Sequence, residues 1–257
     1  LARPQTTNKW QNSEIEGIDI MLAIDVSTSM LAEDLKPNRL EAAKDVAAEF
    51  INGRPNDNIG ITLFAGETFT QCPLTVDHAV LLDMIHNIKC GLITDGTAVG
   101  MGIANAVTRL KDSKAKSKVI ILLTDGTNNK GDISPMTAAE IAKSFGIRVY
   151  TIGVGTNGMA PYPYPVGNTV QYVSMPVEID EKTLTEIAGT TDGNYFRATS
   201  NSKLKEVYEE IDKLEKTKLN VKEYSKRDEE YHWFALAAFL CVLLEVLLRN
   251  SVLKKIP

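Results

Sequence analysis

Two short apolar runs, residues 18–24 and 119–123, dominate what this chain can fold into, because a polar loop built around an aspartate follows each at once. Runs of this length and apolarity suit strands buried on both faces. Apolar residues also recur at helical spacing, at Leu40, Ala43, Ala47, Phe50 and Ile51, and again at Leu204, Val207, Tyr208, Ile211 and Leu214. Strands are expected over 18–24, 58–65, 68–72, 117–123, 147–153 and 194–197. Helices are expected between and after them, over 38–51, 77–88, 98–110, 135–145, 180–188 and 201–219. Pro37 stands near the start of the first helix, Asp77 reads as an N-cap and Gly146 as a stop. Such alternation predicts an α/β fold with a mostly parallel central sheet and helices on both faces.

Sheets of that kind bind ligands beyond the carboxyl ends of their strands, where the strand order reverses. Asp25-Val26-Ser27-Thr28-Ser29 sits at that end of the first run, and Thr124-Asp125-Gly126 at that end of the second. Thr97, just before the helix over 98–110, can reach the same edge from a neighbouring loop. Asp25, Ser27, Ser29, Thr97 and Asp125 offer only oxygen. That donor set suits Mg2+, with Mn2+ or Ca2+ as substitutes, whereas zinc would recruit Cys or His. Mg2+ takes six ligands and usually keeps waters, so one position stays open for a partner's carboxylate. Ser and Asp also crowd ordinary turns and N-caps, and a capping role stands beside the metal one.

The D-x-S-x-S loop, the threonine of Asp95-Gly96-Thr97 and the Thr124-Asp125-Gly126 turn, in that order, resemble the metal-ion-dependent adhesion site of von Willebrand factor type A domains. The resemblance covers residues 17–214. Residues 32–40, 63–67 and 70–75 further resemble the bacterial aerotolerance-operon subfamily, BatA-like members in particular. It implies a Rossmann-like A domain that binds proteins through a metal rather than catalysing a reaction. Ser27, Ser29 and Thr97 would ligate directly, with Asp25 and Asp125 acting partly through waters. Implied companions are a second membrane-bound A-domain protein, a tetratricopeptide-repeat protein and a MoxR-type AAA+ ATPase. Implied placement is the bacterial inner membrane, with the A domain in the periplasm and N-terminal membrane helices whose last residues are Leu1-Ala2.

The expected organisation is a juxtamembrane leader (1–16), the A domain (17–219), a linker (220–231), a transmembrane helix (232–250) and a basic tail (251–257). Residues 233–248 are apolar all round except Glu245. At about 1.5 Å per residue they span about 24 Å, slightly short of a hydrocarbon core of about 30 Å. Tyr231, His232 and Trp233 anchor one end, and Arg249, Lys254 and Lys255 the other. Lysines and arginines on the two sides nearly balance, so charge alone sets no orientation. Within the domain, Pro161, Pro163, Pro165 and Pro176 interleave with Tyr162, Tyr164 and Tyr172 over 156–179, an insertion expected to form a hairpin turning near Pro165-Val166-Gly167-Asn168. It is either a second contact surface or a self-packed loop.

A net charge of -5 with scattered lysines and arginines gives no basic surface for nucleic acid. Cys72 and Cys90 read as buried free thiols, with a bridge as the alternative, and Glu33 and Asp34 either shape the face of the site or cap the following helix. Two other functions fit the same residues. A Mg2+-dependent phosphoryl-transfer enzyme or hydrolase would use the sheet edge, but Ser27 stands where a haloacid-dehalogenase phosphatase needs its second carboxylate, and no G-x-x-x-x-G-K-[ST] or G-x-S-x-G motif exists. A structural scaffold whose cation merely staples loops together is the third reading.

Overall fold

The computed structural model describes residues 17–166, 169–223, 236 and 239–246. The chain divides into two units, 14–216 and a second made of 1–13 with 217–257. The first holds the sheet. Its order is β3-β2-β1-β4-β5-β8, built from β1 (Asp19–Asp25), β2 (Asn58–Phe64), β3 (Thr68–Thr75), β4 (Lys118–Thr124), β5 (Arg148–Val154) and β8 (Tyr195–Ala198). All neighbours are parallel except β2 and β3, a hairpin pair. β1 lies between β2 and β4, so successive crossovers leave it in opposite directions. The carboxyl ends of β1 and β4 therefore flank the point where the order reverses.

Helices form where caps and periodicity agree. Asn38 caps α1 (Arg39–Asn52) by accepting the Glu41 N–H at 2.8 Å. Asp77 caps α2 (His78–His86), and Ser134 caps α4 (Pro135–Ser144), whose proline sits at the first helical position where its missing N–H costs nothing. Asp180 caps α5 (Glu181–Thr190). α3 runs Val99–Leu110 and α6 Asn201–Glu223.

Strand alternation sends Met21, Ala23, Ile120, Leu122 and Val149 to one face. There they meet Ile103, Ala106 and Leu110 of α3, Ala138 and Ala142 of α4, and Ile187 of α5. Ile20, Leu22 and Ile24, equally buried, point to the opposite face. α1 and α6 touch through Phe50 and Tyr208, ring centroids 5.0 Å apart, and Arg54, just past α1, pairs with Asp212 of α6 at 2.6 Å. Both faces are covered, as the apolar runs require.

Residues 156–179 do form a hairpin, β6 (Met159–Val166) with β7 (Thr169–Pro176), a separate two-stranded sheet. One sequence expectation changes and one open choice is decided. Leu214 is only half-buried, and it is the next residue, Glu215, that is 1% exposed. Asp34 caps nothing, since Asn38 holds that position. Cys72, Cys90 and Cys241 are free thiols. The expected leader, the linker from 224 onward and the basic tail lie outside the described residues, as does most of 232–250. Residues 239–246 are helical, with Phe239, Leu240, Val242, Leu243, Leu244 and Val246 all exposed. Among the described residues no helix is long and apolar enough to cross a membrane.

Candidate metal centre

The loop after β1 folds back on its own aspartate. Asp25, wholly buried, accepts the Ser27 N–H at 2.9 Å on Oδ1 and the Thr124 hydroxyl at 2.6 Å on Oδ2. A short 3-10 turn, Thr28–Leu31, then brings Ser29 back, and the Ser27 and Ser29 hydroxyls lie 2.9 Å apart. Ser29 donates to Asp125 Oδ1 at 2.7 Å. Four of the five expected residues therefore form one hydrogen-bonded chain across the ends of β1 and β4.

Thr97 joins from the third loop. Its N–H donates to the Asn129 side chain at 2.9 Å, and its carbonyl accepts the Asn129 N–H at 3.0 Å. The next residue, Ala98, donates its N–H to Ala65 at the end of β2. A methyl group on Gly126 would lie 3.4 Å from the Thr97 hydroxyl oxygen, which places Thr97 against the turn that carries Asp125. Asp95 fastens the same loop to the first one, accepting the Thr28 N–H at 3.0 Å and its hydroxyl at 2.8 Å.

Charge at the site is uneven. Arg39, 3% exposed, donates from Nη1 to Asp125 Oδ2 at 2.7 Å and grips Asp34 with Nε and Nη2, each at 2.7 Å. Asp34 also accepts the Thr156 N–H and hydroxyl. Despite its own burial, these partners hold its carboxyl down at about 2. Asp25 has no such partner. Burial first, and Asp125 second, push its carboxyl up to about 7, and burial raises Asp125 as well. Asp34 and Asp125 thus share the Arg39 guanidinium while Asp25 pairs with no Lys or Arg among the described residues, so the three acids, when ionised, exceed that one cation by two charges. The donors fit a divalent cation: only oxygens, from three loops, with two positive charges missing. No group of three or more His, Cys, Asp or Glu suited to a metal occurs among the described residues, so any ion here leans on the hydroxyls of Ser27, Ser29 and Thr97.

Sequence reasoning passed over Arg39 and Asn129, and it left Asp34 open between shaping the site and capping a helix. A detectable signal did exist for Arg39. It opens α1, where the helix dipole disfavours a cation, and only nearby carboxylates make that placement favourable. Gly155, φ 142°, completes the fit, since a side chain there would meet the Arg39 guanidinium at 2.9 Å.

Comparison with known proteins places the fold in a family. A profile of the von Willebrand factor type A domain matches residues 19–210. The crystal structure of BatB, a conserved hypothetical protein of Bacteroides thetaiotaomicron, is 34% identical with TM-score 0.68, covering 78% of this chain and 100% of that one. An aerotolerance-related membrane protein of Bacteroides fragilis is 34% identical with TM-score 0.66, covering 77% and 100%. Proximal thread matrix protein 1 of the mussel byssus, solved with zinc in its metal-ion-dependent adhesion site, is 25% identical with TM-score 0.61, covering 77% and 45%. A UPF0353 protein of Mycolicibacterium paratuberculosis is 32% identical over 203 residues, 74% of this chain and 58% of the relative, so the chain spans little more than half of that protein. With the fold, the three loops and these likenesses together, the chain belongs to the von Willebrand factor type A domain family and is similar to its BatA/BatB-like aerotolerance-related members.

Proposed function

We propose that this chain is a membrane-anchored protein-binding module whose site holds a divalent cation, Mg2+ by preference. Asp25, Ser27, Ser29, Thr97 and Asp125 hold the ion, and an acidic side chain of a partner completes its shell. One observation carries the reading: Asp25, wholly buried, has no cationic partner among the described residues while Asp125 beside it has Arg39. A divalent ion supplies the missing charge, and oxygen donors with one open position suit the hard Mg2+ more than zinc. When bound, the ion supplies a Lewis-acidic vacancy for a carboxylate. This chain's own residues orient the loops, exclude water from Asp25 and set the charge of the surrounding wall through Arg39.

Anchorage is supported by residues 239–246, whose apolar side chains face outward along eight helical positions, a pattern costly in water and favourable in lipid. Similarity to aerotolerance-related membrane proteins supports an envelope setting, with the domain on the periplasmic side of a bacterial inner membrane. Companion aerotolerance-operon proteins and a MoxR-type AAA+ ATPase are the partners to seek there. Titration calorimetry of Mg2+ into the chelator-stripped chain tests the site. One ion should bind per chain, and Asp125→Ala should weaken it at least about tenfold, the loss of roughly 1.4 kcal/mol. Equal Mg2+ binding by Asp25→Ala and the parent chain would sink the reading. Crosslinking in native membranes with and without EDTA then identifies the partner.

A further inference from the structure

The β6–β7 hairpin leaves an apolar surface without a covering element, and its position says what it meets. A cavity of about 310 Å³ opens between it and the metal centre, lined by Thr28, Ser29 and Arg39 on one side and by Tyr162, Tyr164 and Met175 on the other. Ser29 belongs to both the cavity and the site, so the two are continuous. Register places Ala160 opposite Met175, and alternation puts Tyr162 and Tyr164 on the same face as that pair. Ala160 is 2% exposed and pins this face to the domain, while Tyr164 and Met175 are 57% and 46% exposed.

The hairpin's hydrogen-bond parity decides how a partner can use the surface. Val177 donates to the Gly158 carbonyl at 2.8 Å, so 158, 160, 162 and 164 point their backbone groups toward β7. Residues 161, 163 and 165 then point theirs outward, and Pro161 does so, accepting the Glu33 N–H at 2.8 Å. All three are prolines and donate nothing. A partner segment in this groove therefore cannot add to β6 as a strand. It must be read through side chains.

We propose that the cavity takes an aliphatic or aromatic side chain flanking the acidic residue that reaches the metal, so that the partner is recognised as an acidic–apolar pair. The proposal rests on the metal-binding reading above. Tyr162, Tyr164 and Met175 supply the apolar wall, and the volume lies at the low end of the 300–1,000 Å³ of small-ligand pockets, suited to one or two side chains rather than a larger group. The Asp34 carboxylate couples wall and site, holding Arg39 on one side and Thr156, at the base of the hairpin, on the other. Charge therefore selects the acid and the hairpin selects its neighbour.

A solid-phase array of acetylated Gly-Xaa-Asp-Zaa-Gly peptides, with Asn in place of Asp as control, tests this against the full chain in millimolar Mg2+ and in EDTA. Leu, Phe or Trp at one flanking position should raise Mg2+-dependent retention about tenfold over Gly or Ser, as partial burial of such a side chain gives. Tyr164→Ser should flatten that profile and Tyr164→Phe should restore it. Mg2+-dependent retention of Asp over Asn with no flanking preference, or a profile untouched by Tyr164→Ser, overturns the proposal and leaves the metal reading standing. No Mg2+-dependent difference between Asp and Asn overturns the metal reading itself, and the proposal with it.

Discussion

The two ends of the sheet each bury an acid beside an arginine, yet they are built to opposite ends. At the amino ends of β4 and β5, Glu215 of α6 accepts from Arg148 through Nε at 2.9 Å and again through Nη2, from Tyr150 at 2.5 Å and from Ser117 at 2.8 Å. Its carboxyl is held below the usual range: burial pushes it up, but Arg148, Tyr150 and Ser117 outweigh that. One negative charge meets one positive charge, and the oxygens are satisfied. At the carboxyl ends of β1 and β4, Asp34 and Asp125 share the Arg39 guanidinium, and Asp25, with no cationic partner among the described residues, is pushed toward its neutral form. The balanced cluster holds α6 to the sheet and is complete. The unbalanced one is stable only with a proton or a cation. Buried charge is therefore not by itself a sign of function; a buried deficit is.

Glu215→Leu should have the largest effect. It leaves the half-buried Arg148 without its acid, and Tyr150 and Ser117 without their acceptor, and should cost about 3 kcal/mol, the low end for breaking a buried pair. Urea midpoints should fall equally in Mg2+ and in EDTA. A loss that differs between the two would show that the ends are coupled and break the contrast.

The second effect is metal-dependent and confined to the other end. Mg2+ at about a hundred times its dissociation constant should raise stability by about 2.7 kcal/mol. Asp25→Asn should abolish that increment while leaving the EDTA-treated protein no less stable, because it removes a buried charge that lacks a counterion. Should Asp25→Asn unfold more readily than the parent chain in EDTA, Asp25 is a structural acid like Glu215 and the contrast fails.

The smallest effect sharpens the comparison through pH. Asp34 falls from 3.8 in the unfolded chain to about 2 in the fold. A depressed acid stabilises fully above its unfolded value, and that contribution drains away as pH drops from about 4 through 2. Glu215 acts in the same direction. Asp34→Asn should shallow the acid limb of the melting temperature between those values while leaving the Glu215 share intact. An unchanged limb would mean that the Arg39–Asp34 grip contributes nothing to stability.

Much of this was legible from local rules. The cap at Asp77, the proline near the first helix and the apolar runs placed the helices and strands to within a few residues, because hydrogen bonds to the next turn and burial on both faces are decided within a short window. The meeting of the loops that carry Asp25, Ser27, Ser29, Thr97 and Asp125 was legible too, as strand-end loops on a parallel sheet. Arg39 and Glu215 were not. Arg39 lies 86 residues from Asp125, and Glu215 lies 67 from Arg148. No periodicity reports that a charge will find its partner at that distance. Leu214 was expected on the core face, yet Glu215 took the buried position because Arg148 and Tyr150 were waiting there.

By itself, then, the sequence determined the alternation of elements, the sheet edge that carries the acids and the oxygen character of the donors, since each follows from spacing and side-chain chemistry. Only the tertiary structure decided which acid is paired with an arginine and which has no cationic partner among the described residues, and that the proline-lined hairpin stands beside them. Those outcomes depend on which distant segments end side by side, and that is fixed by packing of the whole sheet rather than by any stretch of chain.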